Sequence, residues 1–494
     1  MSRSTFGPAL PLILGLSACE PATPPPTEPG LFAASQSIRV SSGLAVAAAR
    51  QAAAARANEP RRTSDDDLAD LARGPVPGFA GFVYDESGTL VVKLVDTTRA
   101  SEARTGLAPY LAQHRLRVDR GRGRVSTGAD VRFEQVAFDF ATLKTWYDRV
   151  AQQGVWLVEG LIKSDIDERM NKLHYVTSDQ SWFPMVAQKL EAAGVPPEAV
   201  TMTTGSMPTV GRGSSSRPGN FGMLARLRGL LDWVWLTQYI RPTVPGMRLA
   251  MPTVVGTCSL GINVRLPYDN YVWPHMITAS HCSDSAFYTE TTEFHNEFVG
   301  GWTLLGSEVW DSETWTSGCD TIRCTWTDAT LVAYASDDLD RFGKMPYNHS
   351  TPGHNSASDL SIESNLFYNI VEDQGGPPPQ GQWLCHQGQT SGTRCGPVLR
   401  WCVNGKVLDV NNNGYIVMYM CTGETEYRGA GGDSGGPVWT ALEELDVGLY
   451  GIHVGGSGQD HWRFESDSFT VHRDTSIIVG IGSLRGTFGN FTTY

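Results

Sequence analysis

Two short segments, far apart in the sequence, carry residue types that could hydrolyse an acyl bond together. Thr278–Cys282 places His281 beside a cysteine, and Gly429–Pro437 places Ser434 in a run of glycines. A serine hydroxyl becomes an effective nucleophile only when a base takes its proton, and a histidine does this best when a carboxylate fixes its tautomer. The pair therefore predicts hydrolysis through an acyl-enzyme intermediate, provided that the fold brings the two segments together.

The glycines around Ser434 have a separate chemical role. Without Cβ atoms the backbone can turn sharply and aim two N–H groups at the oxygen of a tetrahedral intermediate. The amides of Gly432 and Ser434 are the predicted oxyanion donors. Each segment alone is also compatible with a surface turn or a core histidine, but their order within one cysteine-bearing region favours the catalytic interpretation.

A lipase-like interpretation is also open, because Gly432–Gly436 satisfies the pattern Gly-x-Ser-x-Gly. An α/β-hydrolase needs its acid and then its histidine after the serine, and a strand-to-helix turn at the serine. Here His281 precedes Ser434, and Gly436–Thr440 has the composition of a strand. Chain order therefore disfavours this alternative.

Composition limits the kind of protein that positions these segments. The chain has 494 residues and a formal net charge of −13, from 39 basic and 52 acidic side chains. Two or three domains are expected at roughly 100 to 200 residues each. Hydrophobic residues make up 41% and charged residues 18%, which excludes wholesale disorder. The acidic balance also argues against a nucleic-acid partner, which would require a surplus of Lys and Arg.

The cysteines indicate the cellular compartment of the mature chain. Cys19 stands alone, and the other eight lie between Cys258 and Cys421. Leu16–Cys19 ends an apolar stretch of signal-peptide length and resembles a bacterial lipobox. This predicts removal of residues 1–18, lipidation of Cys19 and membrane anchoring through it, or else ordinary secretion. Either route is extracytoplasmic, so the other cysteines are expected to form disulfides.

The N-terminal half is predicted to hold one small domain behind a tether. Residues 19–75 are rich in Pro and Ala and are predicted to be a tether that ends in a charged linker at 61–67. A β-hairpin is predicted at Phe79–Val95, and helical spacing follows at Phe138–Val150 and at Met185–Ala193. Together these predict an α/β domain over residues 76–205.

The C-terminal half has a different pattern of predicted secondary structure. Residues 206–245 are predicted to be a Gly-, Ser- and Pro-rich linker followed by an amphipathic helix over Met223–Ile240. From Val254 onward the segments are short, rich in β-branched and aromatic residues, and separated by Gly and Asn. This pattern predicts an all-β domain over residues 246–494.

Residues 246–494 resemble the chymotrypsin-like serine endopeptidases, and more closely the bacterial streptogrisins and α-lytic protease. Beside the histidine and serine segments, Cys258–Val264 resembles the first barrel strand of that family, and Cys385–Gly396 resembles its compact disulfide loop. The resemblance covers half of the chain. It implies an all-β double Greek-key barrel, protein or peptide substrates, a monomer, and no metal or organic cofactor.

The family order His, Asp, Ser places the triad carboxylate between the other two residues. Asp328 fits best, because a small residue and an apolar strand follow it. Asp320 lies between two cysteines, and Asp337 and Asp338 have the character of a solvated turn. These three acids are the alternatives.

Eight cysteines allow 105 disulfide pairings. The resemblance implies Cys258–Cys282 and Cys385–Cys395, and Cys319–Cys324 then closes a short loop before Asp328. Cys402 and Cys421 remain, placed symmetrically about the turn Asn411–Gly414, which predicts a cross-strand disulfide in a long hairpin. The turn also resembles the start of a calcium loop, but Met420 occupies its twelfth position, so the hairpin is favoured.

Specificity is expected from the strand Gly451–Gly456, which resembles the strand that binds the substrate backbone. The predicted substrate contacts are His453, Gly455, Gly456 and Arg428. In relatives that cleave after glutamate, a histidine in this strand binds the substrate carboxylate, which implies a preference for acidic side chains. Two alternatives stay open: His453 packs in the interior, or Glu424 and Glu426 favour a basic side chain.

Two further features concern activation. His386 stands where relatives have the Arg or Lys that pairs with the aspartate before the nucleophile, here Asp433. Either Asp433 keeps His386 charged, or a newly cut N-terminus replaces it. Residues 76–205 faintly resemble the pro-regions of these proteases, which act as folding chaperones and inhibitors, although a permanent accessory domain is also possible. Arg212, Arg241 and Met247 lie near plausible maturation sites.

Overall fold

A computed structural model provides the fold of the chain. It describes residues 61–113, 117–119, 124–126, 131–212, 233–236, 240–253, 256–268, 271–298, 301–316, 319, 322–336, 342–348, 361–374, 376–409, 414–442, 445–465 and 468–493. Within these ranges, no helix has both the length and the apolar character needed to cross a membrane. Cys19 and the predicted signal peptide lie outside the described residues.

The helices and the first strands are as follows. The helices are α1 Ser64–Arg73, α2 Ala100–Gly106, α3 Ala108–Gln113, α4 Phe140–Gln152, α5 Phe183–Ala192 and α6 Ile481–Phe488. The strands up to residue 210 are β1 Phe79–Tyr84, β2 Leu90–Leu94, β3 Arg117–Asp119, β4 Arg124–Ser126, β5 Val131–Gln135, β6 Leu161–Asp167, β7 Lys172–Thr177, β8 Val200–Thr204 and β9 Thr209–Val210.

The remaining strands form the C-terminal half. They are β10 Trp233–Trp235, β11 Arg248–Ala250, β12 Thr257–Ser259, β13 Ile262–Tyr268, β14 Tyr271–Thr278, β15 Glu293–Phe298, β16 Gly301–Asp311, β17 Arg323–Thr325, β18 Thr330–Tyr334, β19 Lys344–Asn348, β20 Ser361–Asp373, β21 Trp383–Gly388, β22 Gly392–Asp409, β23 Tyr415–Thr425, β24 Pro437–Ala441, β25 Asp446–Glu465 and β26 Ser468–Gly480.

The N-terminal half folds around its own core. β1 and β2 form the predicted antiparallel hairpin, and β5 adds to β2 in parallel. α4 begins at an N-cap, where the Asp139 side chain accepts the amide N–H of Thr142. Leu143, Tyr147 and Val150 lie one helical turn apart on the buried face of α4 and pack into this core.

The predicted charged linker at 61–67 is wrong. The Thr63 hydroxyl accepts the Asp66 amide, and the Asp66 carboxylate accepts the Thr63 amide at 2.8 Å, which forms a capping box at the start of α1. Leu68 and Leu71 of α1 are buried in the N-terminal core. The folded unit therefore includes α1 and begins well before residue 76, because the acidic run is the first turn of a helix.

Two β-sheets form the C-terminal half. One has the strand order β12-β11-β15-β16-β18-β14-β13, and the other is a larger sheet that includes β20 to β26. The apolar faces of the two sheets share one core. In it, Leu260 and Ile277 from the side of the first sheet pack with Trp439 and Ile452 of the second. This mostly β architecture agrees with the all-β domain predicted for residues 246–494.

The two halves of the chain are joined through a continuous sheet. β22 pairs antiparallel with β6, which extends the larger sheet into β7 and β8 of the N-terminal half. Lys163 of β6 lies 2.5 Å from a carboxylate oxygen of Glu424, and Lys406 donates to the carbonyl oxygen of Val158 at 3.2 Å. Both lysines are largely buried by these contacts.

The predicted linker at 206–245 is packed at both of its ends. β9 pairs with β22 and β25, and Ile240 and Val244 are buried in the C-terminal core. Of the predicted helix over 223–240, residues 223–232 lie outside the described residues, whereas β10 pairs antiparallel with β20. Residues 237–239 also lie outside the described residues. A helix over 233–236 is therefore wrong, and the alternation Trp-Val-Trp suits a strand.

Four disulfides bind the C-terminal half. They join Cys258 to Cys282, Cys319 to Cys324, Cys385 to Cys395 and Cys402 to Cys421. These are the pairs that the sequence leads one to expect. The last crosses the hairpin of β22 and β23, which Asp409 and Tyr415 close by pairing. Asn411 and Asn413 of the calcium-loop alternative lie outside the described residues.

We expect Thr63→Ala to lower the free energy of unfolding by about 1 kcal/mol, because the change removes the N-cap of α1. Urea denaturation in a Ser434→Ala background, which prevents self-digestion, measures the effect. Thr63→Ser keeps the capping hydroxyl and should match the parent. An unchanged midpoint for Thr63→Ala would show that the capping box does not stabilise the fold.

Candidate active site

Strand pairing brings the histidine and the aspartate together. β14 ends at Thr278, which pairs with Thr330 at the start of β18. His281 follows in the turn Ser280–Cys282, and Asp328 stands two residues before β18, so both reach the same end of the sheet. The His281 Nδ1 and an Asp328 carboxylate oxygen are 2.7 Å apart, and the His281 amide donates to the other oxygen at 3.0 Å.

This pair fixes the tautomer that general-base catalysis requires. Because the carboxylate of Asp328 accepts, Nδ1 of His281 carries a proton and Nε2 keeps its lone pair. Nε2 is buried and has no hydrogen-bond partner among the described residues. The alternative acids Asp320, Asp337 and Asp338 lie outside the described residues.

Ser434 lies in a tight turn just before β24. The Ser259 amide donates to the Ser434 carbonyl oxygen at 2.8 Å, which ties the turn to β12. At Gly435 φ is +90°, and a Cβ there would lie 2.1 Å from the Thr278 hydroxyl oxygen. Only glycine allows the turn to pack this closely on the strand that leads to His281. The element after the serine is a strand, so the helix-starting turn of an α/β-hydrolase is absent here.

The two predicted oxyanion donors have no acceptor among the described residues. The Thr390 hydroxyl donates to the Gly431 carbonyl oxygen at 2.9 Å, which turns the next amide, that of Gly432, to the opposite side. Gly432 has a φ of +95°, which a side chain would strain. Within the described part of the chain, the amides of Gly432 and Ser434 donate to no acceptor. They are available to a substrate oxygen.

Sequence reasoning missed Tyr419. Its hydroxyl donates to an Asp328 carboxylate oxygen at 2.7 Å, across 91 residues of sequence. Burial raises the pKa of Tyr419 well above its ordinary value, so the hydroxyl stays protonated as a donor. No motif marks this tyrosine, because only the parallel pairing of Thr325 in β17 with Tyr419 in β23 brings it to the aspartate.

The hydrogen bonds to Asp433 come from uncharged donors. Its carboxylate accepts the amides of Thr390, Ser391 and Ala430 at 2.8 to 3.0 Å, together with the Ser391 hydroxyl. The His386 Nε2 lies 4.0 Å from the nearer carboxylate oxygen, which is too long for a hydrogen bond. Four donors hold the carboxylate in the uncut chain, and the two activation alternatives stay predictions.

The structure buries His453 among aromatic side chains. Its side chain is 2% exposed, stacks on the His386 ring at 5.1 Å and lies 3.5 Å from the Tyr427 hydroxyl. Burial, together with the nearby His386, lowers the pKa of His453 to about 3, so the ring is neutral near pH 7. Of the other predicted contacts, Gly455 and Gly456 face β9, and Arg428 is half-buried.

One group of potential metal ligands lies at the site. Atoms of Cys258, His281 and Cys282 come within 4.8 Å of one another. The two cysteines form a disulfide, so neither sulfur is the thiolate that a metal would require. This group does not fit a metal ion.

Solved structures with partial likeness to this chain are bacterial serine proteases. A glutamic-acid-specific serine protease that uses a histidine triad in substrate binding is 18% identical, with a TM-score of 0.33 over 51% of this chain and 100% of that chain. Thermobifida fusca protease A is 18% identical, with a TM-score of 0.32 over 51% and 98%. Cellulomonas bogoriensis chymotrypsin is 16% identical, with a TM-score of 0.32 over 51% and 98%.

No protein-family model and no curated protein matches the sequence. TM-scores of this size do not support a functional argument. The function of this chain is therefore inferred from the geometry of its own site.

We expect Tyr419→Phe to slow the modification of Ser434 by a fluorophosphonate about tenfold. The change removes a hydrogen bond to a buried charged group, and such bonds contribute roughly 1.5 to 3 kcal/mol. Labelling rates followed by intact mass provide the measurement. Tyr427→Phe removes the hydroxyl of another buried tyrosine, which does not contact Asp328, and is the matched control. Equal effects of the two changes would contradict a positioning role for Tyr419.

Ser391→Ala should also slow labelling about tenfold, since it removes a donor to the buried Asp433 carboxylate and loosens the turn that carries Gly432. His386→Arg should leave the pH profile of labelling unchanged, because the His386 Nε2 lies 4.0 Å from the Asp433 carboxylate and makes no direct hydrogen bond to it. Both are measured from pH 5 to 9. A shifted pH profile in His386→Arg, with no effect of Ser391→Ala, would restore the histidine as the partner of Asp433.

Proposed function

We propose that this chain is a serine endopeptidase that acts through a triad of His281, Asp328 and Ser434. The observation that carries the proposal is the hydrogen bond of 2.7 Å between Asp328 and the Nδ1 of His281, which leaves Nε2 as a base beside the Ser434 turn. Gly435, next to Ser434, packs closely on Thr278 and Ala279, which lead to His281. This packing supports acyl transfer by the three residues.

The proposed reaction proceeds in two halves. Ser434 Oγ attacks the peptide carbonyl carbon while the Nε2 of His281 takes the hydroxyl proton, and Asp328 stabilises the resulting imidazolium. The amides of Gly432 and Ser434 bind the oxyanion. His281 then protonates the departing amine, and water hydrolyses the acyl-enzyme by the same steps.

A peptide substrate is favoured over a simple ester by the strand next to the site. Gly456 of β25 already pairs antiparallel with Thr209, an added strand in the cleft. Main-chain pairing of this kind is a general mode of peptide recognition, because the backbone supplies affinity and neighbouring pockets supply specificity.

We also propose that the N-terminal half is a pro-domain that acts on the same site. Its β6 extends the sheet of the protease half, and Lys163 and Lys406 are buried in the contact. The lipobox at Cys19 and the four disulfides support an extracytoplasmic protein, lipid-anchored or secreted. We propose that it acts as a monomer.

A preference for acidic side chains receives no support from His453. A buried, neutral imidazole cannot offer a positive charge to a substrate carboxylate. The preference for acidic side chains stays a prediction.

The competing candidate is a pseudoprotease that only binds peptides. It is favoured by one observation: the Ser434 hydroxyl donates to the Gly211 carbonyl oxygen at 3.5 Å and makes no hydrogen bond to His281. A pseudoprotease would retain peptides without turnover. An active site would turn them over in a Ser434-dependent reaction.

Incubating the oxidised protein, with Cys19 deleted, with a denatured proteome should release peptides whose termini can be sequenced by mass spectrometry. We expect new termini with the parent chain and none with Ser434→Ala, which keeps the fold but lacks the nucleophile. Identical peptide sets from the two proteins would contradict endopeptidase activity and favour the pseudoprotease.

A further inference from the structure

A short segment of the chain itself occupies the cleft. β9, Thr209–Val210, pairs antiparallel with β25 through Thr209 and Gly456, and parallel with β22 on its other side. The Val210 side chain is 2% exposed, and its Cγ1 lies 2.6 Å from where a Cβ on Gly455 would be. Any side chain at position 455 would displace this strand. The segment is therefore held in one register.

Gly211, the residue after β9, contacts the proposed nucleophile Ser434. The carbonyl oxygen of Gly211 accepts a hydrogen bond from the Ser434 hydroxyl at 3.5 Å. Because the register of β9 is fixed on both sides, this carbonyl lies next to Ser434. Its oxygen contacts the Ser434 hydroxyl and not the amides of Gly432 and Ser434, so attack requires the carbonyl to turn toward those amides. Gly211 has no side chain, so it needs no pocket.

Arg212 anchors the other side of the same peptide bond. Its Nε donates to the carbonyl oxygen of His281 at 3.0 Å, and its terminal nitrogen donates to those of Ser283 and, at 3.5 Å, Asp284. Its Cβ lies 2.7 Å from where a Cβ on Gly256 would be. A guanidinium offers only donors and backbone carbonyls offer only acceptors, so this cluster suits arginine.

We propose that Ser434 cleaves the bond between Gly211 and Arg212, and that the cleft selects a small residue before the cleaved bond and an arginine after it. Residues 209–212 are then a substrate carried in the chain. This inference depends on the proposed function and specifies its substrate. It follows from an extended strand and an arginine that are anchored on opposite sides of the bond nearest the nucleophile.

The step balances with water as the only co-reactant. Ser434 Oγ bonds to the carbonyl carbon of Gly211, and its proton passes to His281. The bond to the nitrogen of Arg212 breaks, and His281 returns the proton to that nitrogen. Water then cleaves the ester. The products are a carboxylate on Gly211 and an amino group on Arg212, which the guanidinium contacts keep near the site.

The first test follows the full chain, expressed with its disulfides formed, by intact mass and N-terminal sequencing. We expect a fragment that begins at Arg212 in the parent and none in Ser434→Ala. Casein is included as an independent substrate. If the parent hydrolyses casein in a Ser434-dependent way but never yields a terminus at Arg212, this inference is overturned and the proposed function stands. If it hydrolyses neither, both fail.

The second test measures the selection for arginine. A synthetic peptide with the sequence of residues 204–217 should be cut by the parent chain between the positions of Gly211 and Arg212. Replacing Arg212→Ala in the peptide should slow cleavage roughly tenfold, because charge-assisted hydrogen bonds are lost. Arg217→Ala, in the same peptide, is the matched control and should have little effect. Equal rates for all three peptides would overturn the selection.

Discussion

The buried carboxylate of Asp328 is the constraint on which the site depends. It accepts three hydrogen bonds, two from His281 and one from the hydroxyl of Tyr419, and it is inaccessible to solvent. An ionised carboxylate in the interior is tolerated only when such donors surround it. The pairing of β14 with β18 delivers His281, and the pairing of β17 with β23 delivers Tyr419. The positions of both donors to Asp328 therefore depend on the strand registers of the two sheets.

The serine turn is supported by a similar arrangement. Four donors surround the Asp433 carboxylate, and hydroxyl groups of Ser259 and Thr390 hold the carbonyl oxygens of Gly432 and Gly431. Backbone groups and short hydroxyl side chains do here what an ion pair could do elsewhere. Backbone amides and serine or threonine hydroxyls carry no charge near neutral pH, so the donors to this carboxylate are the same over a wide pH range.

Local sequence accounts for part of this picture. His281, Ser434 and Asp328 are marked by residue type, by glycines and by the strand that follows, so they can be identified without a fold. Tyr419 and Ser391 cannot, because their roles come from strand register. The burial of His453 depends on stacking against His386 and is likewise invisible in the sequence.

The same distinction explains the errors in domain boundaries. The acidic run before Leu68 has the composition of a linker, but three of its residues form the first turn of α1. Residues 209–212 lie in a Gly-, Ser- and Pro-rich stretch typical of a flexible connection. Their partners in β22 and β25 are about 200 residues or more away in sequence, so composition alone cannot reveal the pairing.

The central claim is that Asp328 makes His281 a base for Ser434. The direct test is the rate of Ser434 acylation by a fluorophosphonate in Asp328→Asn, with Asp311→Asn as control. Asp311 is also buried nearby, burial raises its pKa well above the ordinary value, and it makes no hydrogen bond to His281. The account predicts a loss on the order of 10⁴-fold for Asp328→Asn and little change for Asp311→Asn. Similar rates in the parent and in Asp328→Asn would contradict it.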